Sequence, residues 1–351
     1  MIVALYIIYL SGRVTHLFTE YHRAIRKSGV IIGRVMHRGT LKRKLHIVIG
    51  FANREFKSGV NYMKTGLILE GGAVRGIFTA GVLDRLMESE VYFPYVIGVS
   101  AGGGNAMSYV SQQKGRTCQM INVPRNESYY GFRQFIASKR LINLDKMAFE
   151  YPYKQFPFDF DTYFNSGITT EYACSCLETG EAEYLSEAHD DERLLTIAKA
   201  TCSVPMLCDP VELDGKHYLD GSISDSIPIE HALEMGCDKL VIILTKPDSS
   251  TAPTNYSKFH AVIHAMYKQY PAFEEACMTR VDRYWKTVEL MDELEKQGRI
   301  MIYRPTLPAI SKFEKDSSKI MESYRDGYNQ ADERMEELYR FMETVKESKV
   351  S

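Results

Sequence analysis

The sequence predicts an α/β fold, a three-layer α/β/α sandwich whose central sheet is mainly parallel. Two observations carry the prediction. Two short apolar runs, TGLIL at 65–69 and YVIGV at 95–99, read as buried strands, and each leads directly into a helix-like segment. Glycines mark the junctions between them.

From Met63 onward, the first strand runs into a glycine-rich turn at 71–76. IFTAGVLDRLM at 77–87 follows with apolar residues at helical spacing. The second strand enters a helix of small residues at 101–110. Residues 171–176 read as a strand closed by a turn at Thr179 and Gly180, and 191–200 as a helix. A hairpin is expected over 211–219, turning at Asp214 and Gly215. Residues 229–235 form a helix ended by Gly236, which feeds the strand KLVIIL at 239–244. A last strand is expected at 299–303, then one long charged helix at 317–345. No repeat or low-complexity linker divides the chain, so one domain over 63–351, ending in a helical segment, is the simplest partition.

With 351 residues the chain is long enough to bury a sizeable core. No apolar run approaches the roughly 18 residues that a membrane-spanning helix needs. MIVALYIIYL at 1–10 comes nearest, but it lacks the flanks of a secretory signal. Seven scattered cysteines without zinc-site spacing read as reduced thiols of a cytoplasmic protein. The net charge of −2 hides an asymmetry, because residues 1–62 carry eleven Lys and Arg against two Glu. Such an arm suits a membrane or a nucleic acid. It has no sustained helical period and no aromatics spaced for base stacking, and no nucleic-acid partner is expected. A strand begins directly after Met63, and KSGV at 57–60 is compatible with a purine-rich ribosome-binding sequence. Translation is therefore expected to start at Met63, with residues 1–62 a mis-assigned basic extension.

GVSAG at 98–102 satisfies G-x-S-x-G. Two readings stand: a flexible turn, or an elbow between strand and helix that presents Ser100 as a nucleophile. In the second, a Cβ at Gly98 or Gly102 would clash with the neighbouring strand and helix. The serine oxygen would then sit at a helix N-terminus, which favours developing negative charge. EGGAVRG at 70–76 is either a tight turn or a cradle of amides for an anion. As a dinucleotide fingerprint it fails, because Ala73 stands where G-x-G-x-x-G needs glycine. The remaining functional reading is oxyanion stabilisation by backbone amides.

YLDGS at 218–222 is a plain turn or the seat of a carboxylate base. The histidines offer no clear alternative. His260 and His264 lie four apart on a helix, and His189, His217 and His231 sit near turns or helix starts. Arg75 reads as an exposed arginine in the first turn of a helix, or as a contact for phosphate. The aromatic run at 151–164 reads as a buried irregular crossover rather than an acyl pocket or membrane contact. The basic residues Lys114, Arg116, Arg125, Arg133, Lys139 and Arg140 read as a solvated face rather than one that steers anionic lipid.

Together and in this order, the three stretches resemble the patatin-like phospholipase family, itself similar to the catalytic domain of cytosolic phospholipase A2. The likeness extends to AKATCSVPMLCDP at 198–210, to residues 121–123, and to the tail at 304–328, which is typical of a bacterial branch. It covers essentially everything after Met63, and residues 1–62 match nothing in it. The resemblance implies a patatin-like fold and a Ser–Asp dyad without histidine. Ser100 is then the nucleophile, Asp220 the base, and the amides of Gly71, Gly72 and Ala73 the oxyanion hole. It further implies hydrolysis of fatty-acyl esters through an acyl-enzyme, with no metal or other cofactor. The substrate is a lipid or other ester, met by transient membrane-surface contact from the cytoplasm, peripheral to the inner face of the membrane.

Two positions depart from the family pattern. Ala73 replaces the third glycine of the loop, and a left-handed backbone there would cost about 1–2 kcal/mol. Ser222 replaces glycine or alanine, and its hydroxyl is expected to reach the Asp220 carboxylate. Two other classes stay open: a catalytically weak lipid-binding or regulatory protein on the same fold, and a nucleotide-binding α/β protein, which Ala73 disfavours.

Overall fold

The computed structural model describes residues 63–124, 129–131, 142–247 and 253–343. The expected N-terminal extension lies outside them, as do Arg125, Arg133, Lys139 and Arg140. The chain enters through β1 (Thr65–Leu69), a 3₁₀ turn (Ala73–Gly76) and α1 (Ile77–Glu88). Next come β2 (Tyr95–Val99), α2 (Ala101–Val110), α3 (Arg116–Ile121), a π-helical segment (Lys146–Gln155) and α4 (Phe160–Phe164). The middle holds β3 (Thr169–Cys176), β4 (Ala182–Leu185), α5 (Asp191–Thr201), β5 (Val211–Leu213) and β6 (Lys216–Asp220). After a 3₁₀ turn (Gly221–Ile223) come α6 (Ile229–Glu234), β7 (Lys239–Ile243), α7 (His260–Tyr267) and α8 (Pro271–Lys296). The last elements are β8 (Ile300–Tyr303), α9 (Ser317–Glu333) and α10 (Met335–Met342).

Eight strands among the described residues form one sheet, with β3-β2-β1-β7-β8 all parallel, β4 and β6 antiparallel to β3, and β5 antiparallel to β6. The parallel strands are buried on both faces, so they read as unbroken apolar runs. Alternate side chains still separate. Leu67, Leu69, Val96, Val241 and Ile243 join an apolar cluster with α1, α2, α5, α9 and α10. Ile68, Tyr95, Ile97, Leu240 and Ile242 join another with α6 and α8. Helices therefore cover both faces, which is the three-layer arrangement the sequence predicts.

Around β3 the register has a consequence for function. Tyr172 and Ala173 pair with both β2 and β4, whereas Cys174 and Ser175 pair with both β4 and β6. A strand has two edges, so β4 takes one and β2 and β6 share the other. Since β2 is parallel to β3 and β6 antiparallel, the two strands meet C-terminus to C-terminus.

The sequence expectation does not include α3, the π-helical segment or α4, and three further elements differ from it. The helix expected over 317–345 is two helices, α9 and α10, parted at Arg334, and its last residues lie outside the described ones. There the guanidinium donates to Ile302 O at 2.6 Å, a tertiary tie that helical spacing does not reveal. The 26-residue α8 was not expected. Its buried stripe runs through Ala276, Arg280 and Tyr284, which breaks the apolar period. The strand β4 was also missed, being short and half-buried throughout.

Candidate active site

β2 ends at Val99 and α2 begins at Ala101; between them Ser100 takes φ 55° and ψ −124°. A residue with a side chain rarely occupies positive φ. The reversal brings backbones into contact on both sides. A Cβ on Gly98 would lie 2.6 Å from Gly103 Cα, and one on Gly102 would lie 2.1 Å from Leu69 O. The Ser100 amide donates to Thr201 Oγ1 at 2.9 Å, and that hydroxyl donates to Ala173 O at 2.6 Å. The end of α5 thus pins the elbow to β3. Ser100 is 8% exposed.

β1 delivers the glycine loop beside this elbow. A Cβ on Gly71 would stand 2.8 Å from the Ser100 Cβ. Behind the loop, the buried Glu70 carboxylate accepts the Thr245 amide at 2.7 Å and Lys246 Nζ at 2.6 Å. Thr245 Oγ1 lies 2.7 Å from Gly71 O, which it can donate to. Among the described residues, the amides of Gly71, Gly72 and Ala73 donate to no protein acceptor. Ala73 has φ 51°, so the left-handed backbone its Cβ resists is present, at a cost of about 1–2 kcal/mol.

Arg75 lies in the 3₁₀ turn before α1 and is half-buried rather than exposed, with Nε donating to Ile310 O at 2.7 Å. Val74 N donates to Lys312 O at 3.2 Å. The glycine loop is therefore strapped to residues 310–312.

Asp220 ends β6 and pairs with Cys174, one residue beyond the Ala173–Val99 pair. Register thus brings Asp220 and Ser100 to the same edge of β3. Asp220 is 3% exposed. Its Oδ1 accepts the Ser222 amide at 2.9 Å, its amide donates to Ser203 O at 2.8 Å, and its carbonyl accepts from Ser175 Oγ at 2.9 Å. No hydrogen bond joins the Ser100 hydroxyl to the Asp220 carboxylate. The Ser222 contact differs from expectation. Its amide, not its hydroxyl, reaches the carboxylate, because Arg280 Nη2 points at the hydroxyl from 3.1 Å.

A largely apolar cavity opens at Ser100 and runs along α2, lined by Gly104, Met107, Ile121, Leu144, Leu195 and Ala198. Two cations also line it, Arg116 and Lys312. Arg116 does not lie on a solvated face. It is 6% exposed and donates to Phe156 O, and burial pushes it down to about 10. The Gly115 amide, held by the Asp84 carboxylate at 3.0 Å, precedes it and turns the chain inward. In the aromatic run, Tyr151, Phe158 and Tyr163 are buried, while Pro152 lines the cavity. Four of the described histidines are engaged elsewhere: His217 with Glu178, His231 with Glu171, and His260 and His264 with Glu274.

Thr201, Lys246, Arg280 and Lys312 carry no local sequence signal of a place in the site. Glu70 alone left a local signal, a charge directly after a fully buried strand.

Residues 67–233 match the family model described as patatin-like phospholipase. The chain carries a patatin-like phospholipase domain. That domain contains Ser100, Asp220 and the glycine loop. A second model, described as a domain of unknown function (DUF6363), matches residues 270–343, the segment that supplies Arg280 and Lys312. The uncharacterized protein YjjU of Escherichia coli (strain K12) is 33% identical over 201 residues, 55% of this chain and 54% of YjjU. Lysophospholipase NTE1 of Yarrowia lipolytica (strain CLIB 122 / E 150) is 22% identical over 279 residues. That covers 75% of this chain and 19% of NTE1, so the chain spans about half of the first relative and a fifth of the second. Among solved structures, VipD from Legionella pneumophila aligns with a TM-score of 0.45 at 12% identity, over 79% of this chain and 67% of VipD.

Proposed function

We propose that the protein is a serine lipid acyl hydrolase, a carboxylic ester hydrolase of the phospholipase A kind, acting through Ser100 and Asp220 without histidine. One observation carries the reading. The loop of amides without a protein acceptor abuts, at Gly71, a serine held at positive φ, and Asp220 ends the strand that follows β2 along the same edge of β3. Asp220 takes the Ser100 proton as the oxygen attacks the ester carbonyl. The oxyanion rests on the amides of Gly71, Gly72 and Ala73. As the ester C–O bond breaks, Asp220 returns the proton to the departing alcohol. Water then attacks the acyl-enzyme, giving its proton by way of Asp220 to the Ser100 oxygen, and the fatty acid leaves.

The apolar cavity along α2 suits the acyl chain. The description of the matched family and the lysophospholipase relative support lipid esters as substrates. No helix among the described residues is long and apolar enough to cross a membrane. Substrate is reached by peripheral contact, a reading supported by Phe313, which lines the cavity and is 44% exposed.

Labelling with a fluorophosphonate probe, together with turnover of a chromogenic fatty-acyl ester, tests the reading. Wild type should label and turn over, and Ser100→Ala should do neither. Asp220→Asn should stay folded and lose turnover. Equal hydrolysis by wild type and Ser100→Ala would overturn it.

A further inference from the structure

Of the two cations that line the cavity, Lys312 comes from the segment of unknown function. Lys312 is half-buried and lines the same cavity as Ser100. Residues 310–312 are anchored to the glycine loop by Arg75 Nε and the Val74 amide. The ammonium donates to Thr254 Oγ1 at 2.8 Å and has no carboxylate partner among the described residues. An ammonium carries three donors, so two are left to serve a ligand.

The neighbouring charges are already engaged. Lys246 is held by Glu70 at 2.6 Å, and Arg280 by Ser222 O, Ser222 Oγ and Thr254 O. Arg75, Lys246 and Arg280 all act on Lys312 in the same sense, raising the cost of its charge, and Asp220 opposes them. A half-buried cation with no ion-pair partner costs stability, and a ligand anion would supply one. The apolar length of the cavity takes the acyl chain, which leaves the alcohol half of the ester for Lys312.

The geometry points to Lys312 as the residue that binds a phosphate carried by the alcohol portion of the ester cleaved at Ser100. This rests on the hydrolase reading above. It gives residues 270–343 a role in substrate choice: Arg280 orders Ser222 and Thr254, and Lys312 meets the phosphate.

The test compares 1-decanoyl lysophosphatidylglycerol with 1-decanoylglycerol in detergent micelles, using the full chain and measuring released fatty acid. Wild type should prefer the phosphate ester. In Lys312→Met that preference in kcat/KM should fall roughly tenfold, mainly through KM, as expected for losing one charge-assisted contact. Lys312→Arg should restore most of it. A preference unchanged in Lys312→Met overturns the inference, whereas no turnover of either ester by wild type overturns the hydrolase reading instead.

A second measurement needs no variant. Glycerol 3-phosphate should compete with a neutral ester at lower concentration than glycerol or inorganic phosphate. Competition no better than glycerol rejects the site, and competition no better than inorganic phosphate rejects the headgroup as its source.

Discussion

The Thr201 hydroxyl accepts the Ser100 amide at 2.9 Å while donating to the Ala173 carbonyl, so one buried oxygen joins the elbow to the central sheet. Replacing Thr201 with valine keeps the shape and removes both bonds. Each buried group left unpaired costs about 1–3 kcal/mol. Thr201→Val should therefore lose about 2–4 kcal/mol in urea denaturation, and Thr201→Ser should recover most of that. An unchanged midpoint for Thr201→Val would show that the bond holds nothing in place.

Ala73 at φ 51° offers a gain in the opposite direction. Glycine relieves about 1–2 kcal/mol of left-handed strain but returns about 0.4–1 kcal/mol of chain entropy to the unfolded state. Ala73→Gly should thus stabilise the chain by about 0.5–1 kcal/mol, read as a higher melting temperature. A fall in melting temperature would mean that the alanine methyl packs more than it strains.

Glu70 and Lys246 form a buried pair behind the glycine loop. Removing one charge from such a pair strands the other, at about 3–5 kcal/mol. Glu70→Gln alone should be markedly destabilising. The double variant with Lys246→Met should recover much of the loss, since neither charge then remains. Additive losses in this double-mutant cycle would show that the two residues do not act as a pair.

Burial, reinforced by Arg280 and Arg75, holds Lys312 down at about 8, with Asp220 pulling the other way and Lys246 adding to the repulsion. Between there and about 10.4 the unfolded chain keeps a proton that the folded chain has lost. Wild-type stability from this group therefore rises with pH across that window, and below it the full penalty applies. Lys312→Met escapes the penalty. Its melting temperature should exceed wild type near pH 7, and the gap should narrow toward about pH 10. A gap constant with pH would contradict the assignment.

The central strands and the elbow were legible because their signals are local. β1, β2 and α2 have the bounds that the apolar runs and small residues predict. The contact between Gly71 and Ser100 follows from two such local motifs meeting at neighbouring strand ends. What the sequence concealed depends on distant partners. Glu70 meets Lys246 across 176 positions, and Lys312 meets Thr254 across 58. Arg116 looks like any surface arginine until the fold closes over it. Arg334 reads as a good helix former, yet the helix stops there, where its side chain bonds to the distant carbonyl of Ile302.

The end-to-end meeting of β2 and β6 sets where this protein can tolerate insertions. One residue added within β6 would shift the carboxylate by about 3.4 Å and turn it to the opposite side of the sheet. The same residue added at Asp214–Gly215, where both residues already have positive φ, would only lengthen a hairpin tip. Length variation in this hairpin is therefore confined to its tip, while its arm keeps a fixed residue count.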